Sequence, residues 1–387
     1  MMDSGKIVLR DYQMDLVNKT RSALKHHKHV IVQAATGAGK TFIFSYLAKL
    51  STERGKKVMI LSNRVELLLQ SGSSLNCLGV TPEYVSPDYK SVPSGNCIVA
   101  MSQTLRARFH KPEWKEFLGS IDMLIIDEIH MQDANYVLES KIFDNKFVLG
   151  FTATPRRGGK QRQLGLDFSY IVDAVSVQDL IDGGFLVPAD HYTLDAPDLS
   201  KLTDINPMTG DYNESSMAAL FDNPKMYAGV LNNYQTLTPG TKAIVFCCNQ
   251  THAIQTCLEF EKAGISARFL VSGLKKSDKG YELFKENLHL TGKRKKVIQD
   301  FNDGKFQILC NASILTTGFD CPSIETVIVN RATQSLALWL QCLDEKTEIL
   351  CKKGWKNIHS IQHDDLCAGY DIESGSIEYV KIDNIYK

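Results

Sequence analysis

The chain has 387 residues, 44 acidic and 44 basic side chains, and 43% hydrophobic residues. That length holds about two domains with room for an appendage. The balanced charge excludes a protein that meets nucleic acid or membrane through overall charge, so any such surface must be local. No apolar run reaches the roughly 18 residues of a membrane span, and the opening Met-Met-Asp-Ser-Gly-Lys has no apolar leader core. No membrane contact is therefore expected.

Four basic runs are candidates for local partner surfaces: Lys25 to His29, Arg156-Arg157 with Lys160, Lys275 to Lys279, and Lys293 to Lys296. Such runs also serve as ordinary solvated faces. The ten cysteines are scattered without paired CxxC spacing, which argues against zinc. It points instead to reduced, mostly buried thiols in a cytoplasmic setting, bacterial or that of a phage-infected host.

In chain order, short apolar runs at Val30–Val32, Val58–Leu61, Cys97–Ala100, Met123–Ile126 and Phe147–Phe151 read as buried strands. Helical text separates them, as at Thr41–Leu50 and Val65–Gln70. Alternation of this kind predicts a parallel sheet covered on both faces. The pattern weakens between Gln178 and Asp190, where Gly183-Gly184 and Pro188 suggest a boundary. A second series follows at Ala243–Phe246, Ala267–Val271, Phe306–Cys310 and Thr326–Val329. From Cys342 the helical period stops, and Leu366–Lys381 reads as a hairpin turning at Glu373-Ser-Gly-Ser376. The expected domains are residues 1–185, 186–341 and 342–387.

Ala34-Ala-Thr-Gly-Ala-Gly-Lys-Thr41 follows a predicted strand and opens a predicted helix, the context of a phosphate loop. Gly37 and Gly39 let backbone N–H groups turn inward around phosphate oxygens, and the helix N-terminus adds partial positive charge. Thr36, Ala38 and the two glycines form the cradle, Lys40 reaches the β- and γ-phosphates, and Thr41 ligates Mg²⁺. Ala34 departs from the pattern, which has Gly there. The run Leu124-Ile-Ile-Asp-Glu-Ile-His130 ends a strand in two carboxylates at the ligand-binding edge of such a sheet. Asp127 is placed to hold Mg²⁺, and Glu128 to orient and deprotonate an attacking water.

Together these runs resemble a superfamily 2 helicase of the DExH type, over residues 9 to 341. The resemblance is to its phage and bacterial group. It implies two RecA-like parallel-sheet domains in tandem that use ATP and Mg²⁺ and alternate two grips on a nucleic-acid strand, with DNA favoured over RNA. Leu9-Arg-Asp-Tyr-Gln13 resembles the Q motif and assigns Gln13 to adenine. Leu61 to Leu67 and Met101 to Leu105 resemble the strand-contact motifs, implicating Arg64, Gln103 and Thr104. His130, Thr152 and Thr154 match the residues that couple nucleotide to strand. Ile244 to Asn249 resembles motif IV. Leu315 to Pro322 resembles motif V, with Thr317 and Gly318 on the strand and Asp320 facing the nucleotide. Thr104 and Thr317 also fit ordinary helix caps.

The family closes with a motif in which Gln is followed by arginines. The predicted helix Thr333–Gln341 leads into it, but no arginines follow Gln341. An arginine finger is worth about 10³ to 10⁵ in rate. The text from Cys342 resembles the start of an intein, a short all-β (HINT) fragment whose first cysteine attacks the preceding carbonyl. Cys342 is then the splicing nucleophile. That resemblance implies a second chain carrying the C-terminal intein half and the missing arginines, the fragment being half of a split intein or a product of gene truncation. Two other readings stay open: a nucleotide-gated clamp without efficient hydrolysis, and a double-strand DNA translocase subunit of a restriction-type system.

Overall fold

The computed structural model describes residues 9–157, 160–173, 175–188, 190, 192, 197–207, 211–278, 280–312, 321 and 323–332, and the backbone strands 348–351, 354–357, 366–371 and 376–381. Two compact units emerge. One comprises Met1–Arg157, Gln161–Ala189 and Trp339–Lys387; the other comprises Gly158–Lys160 and Asp190–Leu338.

The first unit is built on a seven-stranded sheet. Its strands are β1 (His29–Gln33), β2 (Val58–Ser62), β3 (Glu83–Val85), β4 (Cys97–Met101), β5 (Met123–Ile126), β6 (Phe147–Thr152) and β7 (Tyr170–Val172). They run in the order β3-β4-β2-β5-β6-β1-β7, and every pairing is parallel. Alternate residues feed two separate cores, Val30 and Val32 on one face and Ile31 on the other. Burial on both faces is why β1, β2, β4, β5 and β6 read as unbroken apolar runs, whereas the edge strands β3 and β7, with one buried residue each, do not.

Helices α1 (Asp11–Ala23), α2 (Lys40–Thr52) and α3 (Val65–Cys77) cover the first face, contributing Leu16, Phe44 and Leu75. Helices α4 (Ser102–Arg108), α5 (Pro112–Ser120) and α6 (Asn135–Leu138) cover the second, with Leu105, Trp114 and Val137. The short α7 (Val177–Asp182) adds Leu180 to the first core. Phe44 of α2 meets Phe151 of β6 edge to face at 5.5 Å, both fully buried. Cutting either to alanine costs about 3–5 kcal/mol.

The second unit repeats the plan at smaller scale. Strands β8 (Ala243–Cys247), β9 (Ala267–Leu270), β10 (Ile308–Asn311) and β11 (Thr326–Asn330) form a parallel sheet in the order β11-β8-β10-β9. Around it lie α8 (Glu214–Phe221), α9 (Pro224–Leu237), α10 (Gln250–Lys262), α11 (Tyr281–Glu286) and α12 (Arg294–Asn302). The sequence places β10 to start at Phe306, but the strand starts at Ile308. Phe306 packs instead on Phe301 of α12, centroids 5.2 Å apart.

From Glu348 the character changes. Strands β12 (Glu348–Cys351), β13 (Gly354–Asn357), β14 (Leu366–Asp371) and β15 (Ser376–Lys381) pair antiparallel in the order β13-β12-β14-β15. Asp371 pairs with Ser376, so the expected hairpin is present. The predicted helix Thr333–Gln341, and Cys342 itself, lie outside the described residues.

Among the described residues, no helix is long and apolar enough to cross a membrane. Of the seven cysteines whose side chains are described, six are buried and all seven are unpaired. Burial pushes the Cys97 thiol up to about 12, so it stays protonated and inert. The basic run Lys25–His29 is only partly a solvated face. His29 turns inward and sets its two ring nitrogens 2.8 and 3.1 Å from the carbonyls of Asp167 and Phe143.

His252, in the first turn of α10, is fully buried. Its Nδ1 accepts from the Cys248 backbone N–H at 3.1 Å. The proton of the neutral ring is therefore on Nε2, and the Asn330 side-chain amide 3.1 Å away must turn its oxygen toward it. Burial lowers the His252 pKa from 6.5 to about 4. The unfolded chain takes up this proton first as pH falls. The contribution of His252 to stability is thus complete above pH 6.5 and lost as pH drops toward 4, a difference of roughly 3 kcal/mol. Urea unfolding at pH 7 and pH 4.5 tests this: in His252→Asn the acid loss should shrink by roughly 2–3 kcal/mol relative to the parent. An equal loss in both proteins contradicts it.

Candidate functional site

Strands β5, β6 and β1 are neighbours, so the segments leaving their carboxyl ends converge. From β1 the chain continues one bond further along β6, with the Ala34 N–H donating to the Thr152 carbonyl at 3.0 Å. The loop then turns through Gly37 (φ +83°) and Gly39 (φ +76°), conformations that a side chain would strain. Gly39 opens α2 and offers no side chain to cap it, leaving a helix terminus suited to an anion. Lys40 and Thr41 begin the helix itself.

The loop is held from beneath. The Ala38 carbonyl accepts from the Tyr12 hydroxyl at 3.1 Å and from Gln13 Nε2 at 3.0 Å. Gln13 Oε1 in turn accepts from the Arg10 backbone N–H at 3.1 Å. Both ends of the Gln13 amide are therefore engaged by backbone, and reading an adenine edge would require it to exchange one of these bonds. Phe185, which the sequence reading missed, lies 5.0 Å from the Tyr12 ring, with the Arg10 guanidinium 4.7 Å over its face. Its position beside Gly183-Gly184 made it look like linker.

The acidic loop leaves β5 with Asp127, whose N–H donates to the Leu61 carbonyl of β2 at 3.0 Å. Burial, then the neighbouring Glu128 charge, pushes the Asp127 pKa up, against the pull of Lys40 and the Glu128 N–H. Glu128 has φ +50°, a left-handed conformation unusual for a side chain of its size. Its Oε1 lies 4.0 Å from Lys40 Nζ, and its Oε2 is buried without a hydrogen-bond partner. His130 Nδ1 stands 3.3 Å from that Oε2 and 2.9 Å from the Thr152 hydroxyl.

The Thr152 hydroxyl donates to the Thr154 carbonyl at 3.1 Å, so Nδ1 of His130 carries the proton and donates to it. Burial lowers the His130 pKa, the larger effect, while Glu128 pulls it up. The ring is therefore neutral and donates to Thr152, with Glu128 Oε2 3.3 Å away but not hydrogen-bonded.

Among the described residues no three His, Cys, Asp or Glu side chains converge to hold a metal alone. The Thr41 hydroxyl and the Asp127 carboxylate fit Mg²⁺, a hard cation that brings further oxygens from phosphate and water. A dication there would offset the burial that disfavours ionised Asp127.

The strand-facing candidates sit farther along the same edge. Ser62 of β2 pairs with Met101 of β4, so Arg64 and Gln103 each lie two residues beyond a paired position. Arg64 is half-buried before α3, Gln103 is exposed and Thr104 half-buried. Thr104 lies inside α4, whose N-cap is Met101, so it is not a cap. Thr317, Gly318 and Asp320 lie outside the described residues. Sequence reading also missed the contacts that join these loops to the acidic one. The Ser102 hydroxyl donates to the Asp133 carbonyl at 2.6 Å, and Asn63 Nδ2 to the Asp133 carboxylate at 3.4 Å. Asn63 and Ser102 stand within the motifs already singled out, which was the available signal.

Two family models match in succession. The type III restriction enzyme res subunit model covers residues 6–157, and the helicase conserved C-terminal domain model covers residues 227–344. A "51.5 kDa protein" of a Lactococcus phage is 28% identical over 80% of this chain and 61% of its own length. The DNA 3'-5' translocase XPB2 of Sulfurisphaera tokodaii is 23% identical over 84% of this chain and 75% of its own. The chain spans 49% and 51% of two yeast relatives. The ATP-dependent Type ISP restriction-modification enzyme LlaBIII bound to DNA shares the fold, with a TM-score of 0.52 and 15% identity over 85% of this chain and 26% of that one.

A methyl group on Gly39 would lie 2.5 Å from Gln13 Nε2. Gly39→Ala should destabilise the protein by about 1–2 kcal/mol from its left-handed backbone alone and more from this collision. In a Gln13→Ala background the excess should vanish, a non-additivity that urea unfolding of the two single variants and the double variant measures. Strict additivity contradicts the packing described.

Proposed function

Given two matched domains that indicate a superfamily 2 helicase, we propose that the chain is an ATP-driven helicase or translocase acting on nucleic acid, DNA in preference to RNA. The observation that carries this reading is the convergence of Lys40, Asp127, Glu128, His130 and Thr152 at three adjacent strand ends. The similarity to XPB2, a DNA 3'-5' translocase, favours DNA. The match to the type III restriction enzyme res subunit favours a restriction-type motor within the same class.

Backbone N–H groups from Thr36 to Gly39 cradle the β- and γ-phosphates, and Lys40 neutralises them. Thr41 and Asp127 would hold Mg²⁺, which when bound neutralises charge developing on the phosphates. Glu128 orients a water and takes its proton. His130 ties Glu128 to Thr152, so a shift in the segment through Thr154 reaches the base. Arg64, Gln103 and Thr104 grip sugar and phosphate, which needs no base reading. Gln13 recognises adenine. In the second unit Thr317 and Gly318 supply the other grip and Asp320 faces the nucleotide. Glu128→Gln should leave ATP affinity within about threefold yet slow hydrolysis about 10²-fold or more. Equal losses in both would mean Glu128 only supports the fold.

We read residues 1–185 and 186–341 as the two motor domains, working in a cytoplasm, and residues 342–387 as an N-terminal intein fragment. Support comes from the helicase model match stopping at residue 344 and from parallel pairing giving way to antiparallel pairing at β12. The Cys342 sulfur attacks the Gln341 carbonyl carbon; the C–S bond forms, the C–N bond breaks, and the released amine of Cys342 takes the thiol proton. The arginines that do not follow Gln341 would lie beyond the intein, on this polypeptide or on a second chain. Co-expression with such a chain should give, by mass spectrometry, a product joined through Gln341, absent in Cys342→Ala. A joined product from the alanine variant would exclude this route. The same absence of arginines favours a second reading, a nucleotide-gated clamp. Strand-stimulated turnover by this chain on the order of 1–100 s⁻¹ would exclude it.

A further inference from the structure

Arg156 and Arg157 look alike in the sequence, as charge destined for water. Arg156 is exposed, but Arg157 is only 7% exposed. Its guanidinium uses all five N–H donors. Nε donates to the His130 carbonyl at 3.0 Å, and Nη2 to the carbonyls of Ile129 at 2.6 Å and Met131 at 2.8 Å. Nη1 donates to Asn135 Oδ1 at 2.9 Å and to the Arg162 carbonyl at 2.8 Å. None of the five acceptors is a carboxylate. A buried cation held mainly by carbonyls is fixed by geometry, since each acceptor must point at the fork.

Three of those carbonyls are consecutive, and they belong to the loop that begins at Asp127-Glu128. Directing three successive carbonyls at one planar group orients the peptide planes through His130. The strained backbone of Glu128, φ +50°, lies immediately upstream. Such strain persists only where the surroundings over-determine it. Other backbone restraints include the Glu128 N–H on Asp127 Oδ1 at 3.0 Å, the Ile129 N–H on the Phe151 carbonyl at 3.0 Å and the Met131 N–H on the Glu128 carbonyl at 2.8 Å. Arg157 itself follows Thr152 by five residues, on the segment whose first hydroxyl receives His130.

We propose that Arg157 is a positioning residue: its guanidinium clamps the carbonyls of residues 129–131 so that Glu128 is aimed for catalysis, and it carries movement of the 152–157 segment to that carboxylate. It touches no substrate and acts through Glu128 and His130. The inference rests on the reading of Glu128 as the base. Lysine keeps the charge at Arg157 but lacks the fork, so it cannot hold three carbonyls at once.

The full chain bearing Arg157→Lys tests this by amide hydrogen exchange and by single-turnover hydrolysis with nucleotide affinity measured alongside. Exchange across residues 128–131 should quicken about tenfold or more while α2 and β4 are unchanged. Hydrolysis should fall about tenfold or more with ATP affinity within about threefold, as expected of a misaimed base. If Arg157→Lys does not fold, Asn135→Ala, which removes one acceptor, should quicken the same amides about twofold to threefold. Unchanged exchange at 128–131, or affinity falling in step with rate, overturns the proposal. If the parent chain hydrolyses too slowly to measure, as the arginines missing after Gln341 allow, exchange at 128–131 decides the clamp.

Discussion

The carboxyl edge of the first sheet is organised around a burial problem. Asp127 and Glu128 are neighbouring acids at the end of a fully buried strand, with Lys40 the cation facing them. Water is largely excluded, so each charge must be met by a fixed partner or by a ligand. Everything near this pair is placed to meet it. The phosphate loop delivers Lys40, β6 delivers Thr152 to fix the His130 proton, and Arg157 fixes the loop that holds Glu128. The buried Oε2 of Glu128 without a partner is the point at which this arrangement is still open.

Much of this was legible in the residues. Apolar runs between turn signals located five of the seven strands of the first sheet and the four of the second; the three-residue strands β3 and β7, each with only one buried residue, were missed. The loop from Ala34 to Thr41 and the pair Asp127-Glu128 stood out as two short runs, and the structure brings Lys40 within 4.0 Å of Glu128. What stayed hidden depends on long-range satisfaction. Arg157 and His29 read as solvent charge, and nothing local says that backbone carbonyls from distant segments converge on them. Phe185 was hidden by the glycines before it. Phe306 was taken for strand because aromatic residues suit strands, while its actual partner is the ring of Phe301.

The second unit uses the same construction with a different device at the equivalent strand end. There His252, neutral and buried, bonds the backbone after β8 and faces the amide of Asn330 at the end of β11. Both units thus close a parallel sheet with a histidine that works uncharged. The antiparallel sheet from Glu348 onward has no such edge, and its pairing follows the hairpin logic of local turns. Among the described residues the change from parallel to antiparallel pairing falls between β11 and β12.

The central proposal is that the Asp127 carboxylate at the end of β5 shares a dication with a triphosphate. Its most direct measurement is the affinity of a non-hydrolysable ATP analogue with and without Mg²⁺, for the parent chain and Asp127→Asn. The account predicts that Mg²⁺ tightens binding to the parent, and that the variant loses this enhancement while binding metal-free nucleotide at least as well, having shed a negative charge. Parent affinity indifferent to Mg²⁺, or full enhancement retained in Asp127→Asn, would contradict it.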